Sequence, residues 1–91
     1  MNFQWDEGNI EKSLIKHGVS VAEAESIWLD EKRKVVVSRI TTDRELRFAC
    51  IGMSNVNRLL SVIFTFRNGN LIRPISARPV NKKEKELYYG F

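Results

Sequence analysis

The chain has 91 residues, 43% hydrophobic and 29% charged, with a formal net charge of +4. That supports one folded domain over 1–91, since a second would need on the order of 100 residues of its own. It excludes a membrane span, which takes roughly 18 consecutive apolar residues, and the lone Cys50 excludes a disulfide framework or a multi-cysteine metal site.

The first segment, Met1 to Glu7, has neither the basic nor the apolar region of a signal peptide, so a cytoplasmic address is expected. Asn9 to Lys16 reads as a helix with Ile10 and Leu14 on one face, and Gly18 suits the left-handed position that ends it. Ser20 is a good N-cap, with Glu23 at capping-box spacing, for a second helix from Val21 to about Leu29. Val21, Ala24, Ile27 and Trp28 form its apolar stripe.

After Lys34 the period becomes extended. Val35-Val36-Val37 is a short β-branched run. Glu45 to Met53 alternates, with Leu46, Phe48 and Cys50 on one side and Arg47, Ala49 and Ile51 on the other. Leu59 to Arg67 and Leu71 to Arg78 flank Asn68-Gly69, the strongest short hairpin signal in the chain. Pro74 lacks a ladder donor and implies a free edge at the last strand. Asn81, with Glu84 three residues on, opens a C-terminal helix reaching Tyr89. The order predicts an α+β fold: two N-terminal helices, a four-stranded mainly antiparallel sheet and one C-terminal helix.

The charges on the strands carry the functional inference. A two-residue turn at Asn68-Gly69 pairs Arg67 with Asn70, so that Ile63, Thr65 and Arg67 share a face with Ile72, Pro74, Ser76 and Arg78. Leu60, Val62, Phe64 and Phe66 then join Leu71, Ile75 and Ala77 on the greasier face under the helices, with Arg73 left to find a partner or an edge. A register that buries Leu46 and Phe48 there adds Arg47 to Arg67 and Arg78. Three arginines on one sheet face suit an anion, because guanidinium forks match phosphate oxygens. The competing reading gives each arginine a carboxylate such as Glu45, Glu84 or Glu86.

His17, the only histidine, is either an acid–base group or a cap on helix carbonyls. Cys50, Trp5 and Trp28 read as core, while Lys32-Arg33-Lys34 and Lys82-Lys83 are basic clusters of the kind usually solvated. The sequence has no glycine-rich phosphate loop, no serine–histidine–acid set and no metal-ligand spacing. A DNA-binding repressor is disfavoured, since there is no helix-turn-helix signature with a basic recognition helix and the helix from Val21 carries Glu23, Glu25 and Asp30, which would repel DNA.

Several segments together resemble the BrnT family. They are Phe3-x-Trp5-Asp6-Glu7, Lys16-His17-Gly18-Val19-Ser20 with Glu23-Ala24, Arg47-Phe48-x-x-Ile51-Gly52, Thr65 before Arg67, and Ile72-Arg73-x-Ile75-Ser76-Ala77-Arg78 ahead of a basic helix with Glu84 and Tyr88. Val21 stands where an aromatic is usual, and Pro74 interrupts the usual isoleucine pair. The resemblance implies a ribonuclease toxin of a type II toxin–antitoxin system with a RelE-like fold, inhibiting translation. It implies metal-independent RNA cleavage through 2′-OH attack, with no cofactor. It further implies a ribbon-helix-helix antitoxin as partner, and operator DNA bound only through that antitoxin. On the matching positions, Arg67, Arg78 and His17 are the expected catalytic groups and Arg47 and Ser76 expected RNA contacts; on the C-terminal helix, Tyr88, Lys82 and Lys83 are further expected RNA contacts. The alternative is a non-catalytic module whose arginine face holds an acidic protein segment.

Overall fold

A computed structural model of the chain describes residues 2–40 and 46–90. Helix α1, Glu7–His17, starts at Asp6, whose carboxylate accepts the Gly8 N–H, and ends at Gly18 with φ +64°. Helix α2, Val21–Ser26, is capped by the Ser20 hydroxyl on the Glu23 N–H and tightens into a 3-10 turn over Ile27–Leu29. Strands β1, Lys34–Ile40, β2, Leu46–Met53, β3, Leu59–Arg67, and β4, Leu71–Pro79, form one antiparallel sheet in chain order. Helix α3, Lys82–Tyr89, closes the described chain with a complete capping box between Asn81 and Glu84. This is the expected α+β arrangement; Glu45, expected to open β2 and to serve as a carboxylate partner, lies outside the described residues.

The core lies between the sheet and the N-terminal helices. Val19, Ala24, Ile27 and Trp28 pack on Cys50, Leu60, Val62, Phe64, Ile72 and Ala77. Edge-to-face contacts link Phe3 to Trp28 and Trp28 to Phe64, at centroid separations of 5.1 and 5.3 Å. Gly52 lets the 3-10 turn sit directly on β2, since a Cβ there would lie 3.0 Å from the Ile27 carbonyl oxygen. Helix α1 differs from expectation: it turns Ser13 inward, where Oγ accepts the Ala77 N–H at 3.0 Å, and leaves Leu14 and Ile15 exposed.

The β3–β4 register corrects the sequence expectation twice. Arg67 pairs with Leu71, not Asn70, so the connection has three residues, with Asn68 and Gly69 both at positive φ. This moves Ile72 and Pro74 onto the core face and brings Leu71 and Arg73 to the other. A bulge at Ile75, between the Phe64–Pro74 and Ile63–Ser76 pairs, then adds a second one-residue shift. The shifts cancel in parity, so Ser76 and Arg78 share a face with Arg67 as expected, by a different route. The same parity explains the prolines. The Ile72 N–H points off the sheet to the Asn2 carbonyl and the Ala77 N–H to Ser13, so Pro74 and Pro79 fall where the missing donor costs no ladder bond. The Gln4 N–H returns a bond to the Ile72 carbonyl at 2.8 Å, which closes the β4 edge.

Candidate nucleic-acid interface

The sheet face away from α2 carries Arg47 from β2, Arg67 from β3, and Arg73, Ser76 and Arg78 from β4. Its two ends are furnished differently. Near the β3–β4 turn, Arg73 is opposite Thr65, and Arg47 falls one step beyond the Phe48–Phe64 pair, so Arg47, Thr65 and Arg73 form one row across three strands. Thr65 is buried in that row, with its hydroxyl donating to the Leu46 carbonyl at 3.0 Å. Arg73 faces Asp6 at 3.7 Å. The Arg47 Nε is buried without a hydrogen-bond partner among the described residues, and an orphaned donor of this kind costs about 1–3 kcal/mol.

The other end lies under α3. Arg78 grips Glu84 with both terminal nitrogens, at 2.7 and 3.0 Å, and Ser61 donates to the same carboxylate at 2.8 Å. Glu84 also accepts the Asn81 N–H that completes its capping box. Burial pushes the Glu84 pKa up, but the bonds from Arg78, Asn81 and Ser61 outweigh it and hold the group below its ordinary value. The far end of α3 is pinned through Tyr88. Its hydroxyl donates to Asp30 at 2.5 Å, and the same Asp30 oxygen accepts the Met53 N–H at 2.8 Å. Burial and the bond to Asp30 push the Tyr88 phenol up to about 12. Between α3 and strands β1 and β2 runs a groove of about 600 Å³, floored by Val36, Ala49 and Ile51 and rimmed by Lys83, Glu86 and Leu87. Among the described residues, no three His, Cys, Asp or Glu side chains gather as a metal site would need, and no helix is long and apolar enough to cross a membrane.

Residues 5–84 match the family model described as the ribonuclease toxin BrnT of type II toxin–antitoxin systems. The chain belongs to the BrnT family. Its fold is similar to the 1.1 Å crystal structure of the Brucella abortus ribonuclease toxin BrnT, with a TM-score of 0.68 and 26% identity over 90% of this chain and 99% of that one. Among curated proteins, none matches. The BrnT span takes in both ends of the arginine face and stops before Tyr88.

Within this BrnT domain the expected site residues do not form one cluster. Arg78 lies opposite Ser61, six residues along β3 from Arg67, which is about 20 Å at the usual strand rise. His17 ends α1, where its carbonyl accepts from Arg58, so the expected grouping of Arg67, Arg78 and His17 is corrected: Arg67 and Arg78 stand at opposite ends of β3. Tyr88 is buried on Asp30, against its expected role in contacting RNA. Lys82 and Lys83 are exposed at the start of α3, and Ser76 lies beside Ile63 on the arginine face. Two features escaped the sequence reading. Glu23 does not complete the capping box at Ser20; its carboxylate takes Arg58, in an ion pair, and Ser54 at 2.8 Å. The hydrogen bond from Arg58 holds the Glu23 pKa down against the opposing effect of burial. Asp30, which follows the helix expected from Val21 to about Leu29, joins the 3-10 turn, β2 and α3.

Proposed function

We propose that this BrnT-family chain is a metal-independent endoribonuclease toxin that inhibits translation. Its partner is a ribbon-helix-helix antitoxin, through which alone it meets operator DNA. The observation that carries the reading is the row of Arg47 and Arg73, with Arg67 one step further on the same face, at the end of the sheet away from α3. The RNA backbone crosses this end. Attack by a ribose 2′-OH on the adjacent phosphate gathers charge on the phosphoryl oxygens, and guanidinium forks stabilise that charge without a metal.

Arg67 and Arg47 are the groups assigned to the phosphate. A phosphate oxygen that draws the Arg47 fork toward it relieves the orphaned Nε donor, which favours the bound state. The α3 groove offers an apolar slot for a base over Val36, Ala49 and Ile51, with Lys83 at its rim for the next phosphate. Arg78 positions α3 through Glu84, which keeps that wall of the groove in place.

The test is RNA cleavage by purified, antitoxin-free protein in EDTA. Wild-type protein shortens the RNA, and Arg47→Ala or Arg67→Ala protein of unchanged fold does not. Intact RNA after incubation with folded wild-type protein overturns the reading and leaves a non-catalytic module that holds an acidic protein segment.

A further inference from the structure

The two edges of the sheet are treated differently. The β4 edge is closed by residues 2–4 and by Ser13, whereas no described element pairs with the outer edge of β1. Beside that open edge, on the face that α2 covers elsewhere, lie Val35 (50% exposed), Val37 (60%), Leu46 (41%) and Phe66 (48%). They stand on three neighbouring strands and on one face, since Val37 pairs with Phe48 and Phe48 with Phe64. Phe66 continues the aromatic cluster through Phe48 and Phe64, so the strip is the core itself emerging at the surface. A groove of about 470 Å³, lined by Trp28, Val35, Phe64, Phe66, Ile72 and Arg33, leads into it.

The dimensions fit a helix. Three strands span about 10 Å, the width of a helix with its side chains. From the level of Val35 to that of Leu46 the strip runs roughly 15 Å, about ten helical residues. The rim decides what kind of helix. Arg33 lines the groove and Lys32 beside it is exposed, with Glu31 the acid next to them, whereas Lys34 pairs with Ile51 and falls on the opposite face. A second copy of the chain fits poorly: its exposed Leu14 and Ile15 on α1 lie between Lys12 and Lys16, and its exposed Leu87 on α3 follows Lys82, Lys83 and Lys85, all of which that rim repels, while its exposed Leu29 sits in a turn of three residues.

We propose that this strip docks an acidic amphipathic helix of the antitoxin, which completes the helical layer over β1 and β3. The docking rests on the toxin–antitoxin reading for its partner, but it uses a face different from the one assigned to RNA. The apolar side of such a helix places residues at i, i+3, i+4 and i+7 over Val37 and Phe66, and its acidic flank meets Arg33.

The experiment uses the cognate antitoxin of this chain, with binding measured by calorimetry and RNA cleavage measured on the toxin alone. Val37→Asp weakens binding by about tenfold or more. Arg33→Glu weakens it and flattens its salt dependence. Both variants cleave RNA as the wild type does. If Val37→Asp fails to fold, Val37→Thr, nearly the same size and less apolar, gives the same direction of change. Unchanged affinity in the folded variants overturns the proposal, as does wild-type protein that fails to bind the antitoxin. Self-association of the wild type that Val37→Asp abolishes also overturns it, by showing that a second copy is the occupant. Loss of antitoxin binding in variants of a chain that never cleaves RNA sustains the docking while the ribonuclease reading falls.

Discussion

Arg78 and Arg47 occupy the same face of the same sheet and differ in what surrounds them. Arg78 is held in two charge-assisted bonds to a half-buried carboxylate that is itself bonded by Ser61 and by a helix cap. Arg47 has a buried Nε with no hydrogen-bond partner among the described residues. Locally these arginines look alike, each on a strand that alternates with apolar residues. What separates them is a helix arriving from the C-terminus over one end of the face. A cation already neutralised in a fork serves the fold, whereas one left short of a partner is positioned to serve a ligand.

The largest effect is expected where the comparison assigns chemistry. Arg47→Ala should lower RNA cleavage about 10²–10³-fold, the usual cost of removing one donor to a developing oxyanion, while the thermal midpoint stays within a few degrees of wild type. Single-turnover cleavage and thermal melts on the same samples separate the two readouts. A variant that cleaves normally breaks the comparison, because the underpartnered end would then have no catalytic duty.

Arg78→Ala should behave in the opposite sense. It leaves Glu84 partly buried without its fork, and since that pair keeps some solvent contact the loss should be about 2 kcal/mol of stability. Arg58→Ala supplies a control of the same kind, because it strands Glu23 in a similar setting. The two should lose stability to a similar extent in denaturant melts. If Arg78→Ala melts like wild type and cleaves poorly, the assignment of the two ends is reversed.

Much of the fold was legible because local signals and global needs agree. Ser20 and Asn81 cap the helices expected of them, Gly18 ends α1, and the strands lie close to where alternation places them. The site was legible only in part. Face assignment depends on register parity, and one extra loop residue at Asn70 or one bulge at Ile75 inverts it; neither has a strong local signature. That Arg47, Arg67 and Arg78 share a face came out correctly only because the two shifts cancel. The separation of Arg67 from Arg78 follows from the same register, since sharing a face says nothing of distance along it. The ties of Glu23 to Arg58 and of Asp30 to Tyr88 span 35 and 58 positions, beyond the reach of any periodicity.

The smallest effect concerns the pin at the far end of α3. Tyr88→Phe keeps the ring and its edge contact with Tyr89, at 5.0 Å, and removes only the bond to Asp30. Asp30 retains the N–H groups of Met53 and Lys32, so the loss should be about 1 kcal/mol, seen as a lower melting temperature with cleavage preserved. The pH profile sharpens this. Burial raises the Asp30 pKa, but the bonds from Tyr88, Met53 and Lys32 together hold it below its ordinary value. A depressed carboxylate contributes stability that is complete above its unfolded pKa, about 4, and that is lost as pH falls through the folded one. Glu23 and Glu84 are depressed too, so wild-type melting should be flat with respect to these groups from pH 6 to 8 and fall below about pH 4. Without the Tyr88 bond the folded Asp30 value moves back up toward the unfolded one. The difference in stability between wild type and Tyr88→Phe should therefore narrow as pH falls through the acid transition. A constant difference down to pH 2 would mean that the hydroxyl acts through packing and not through Asp30.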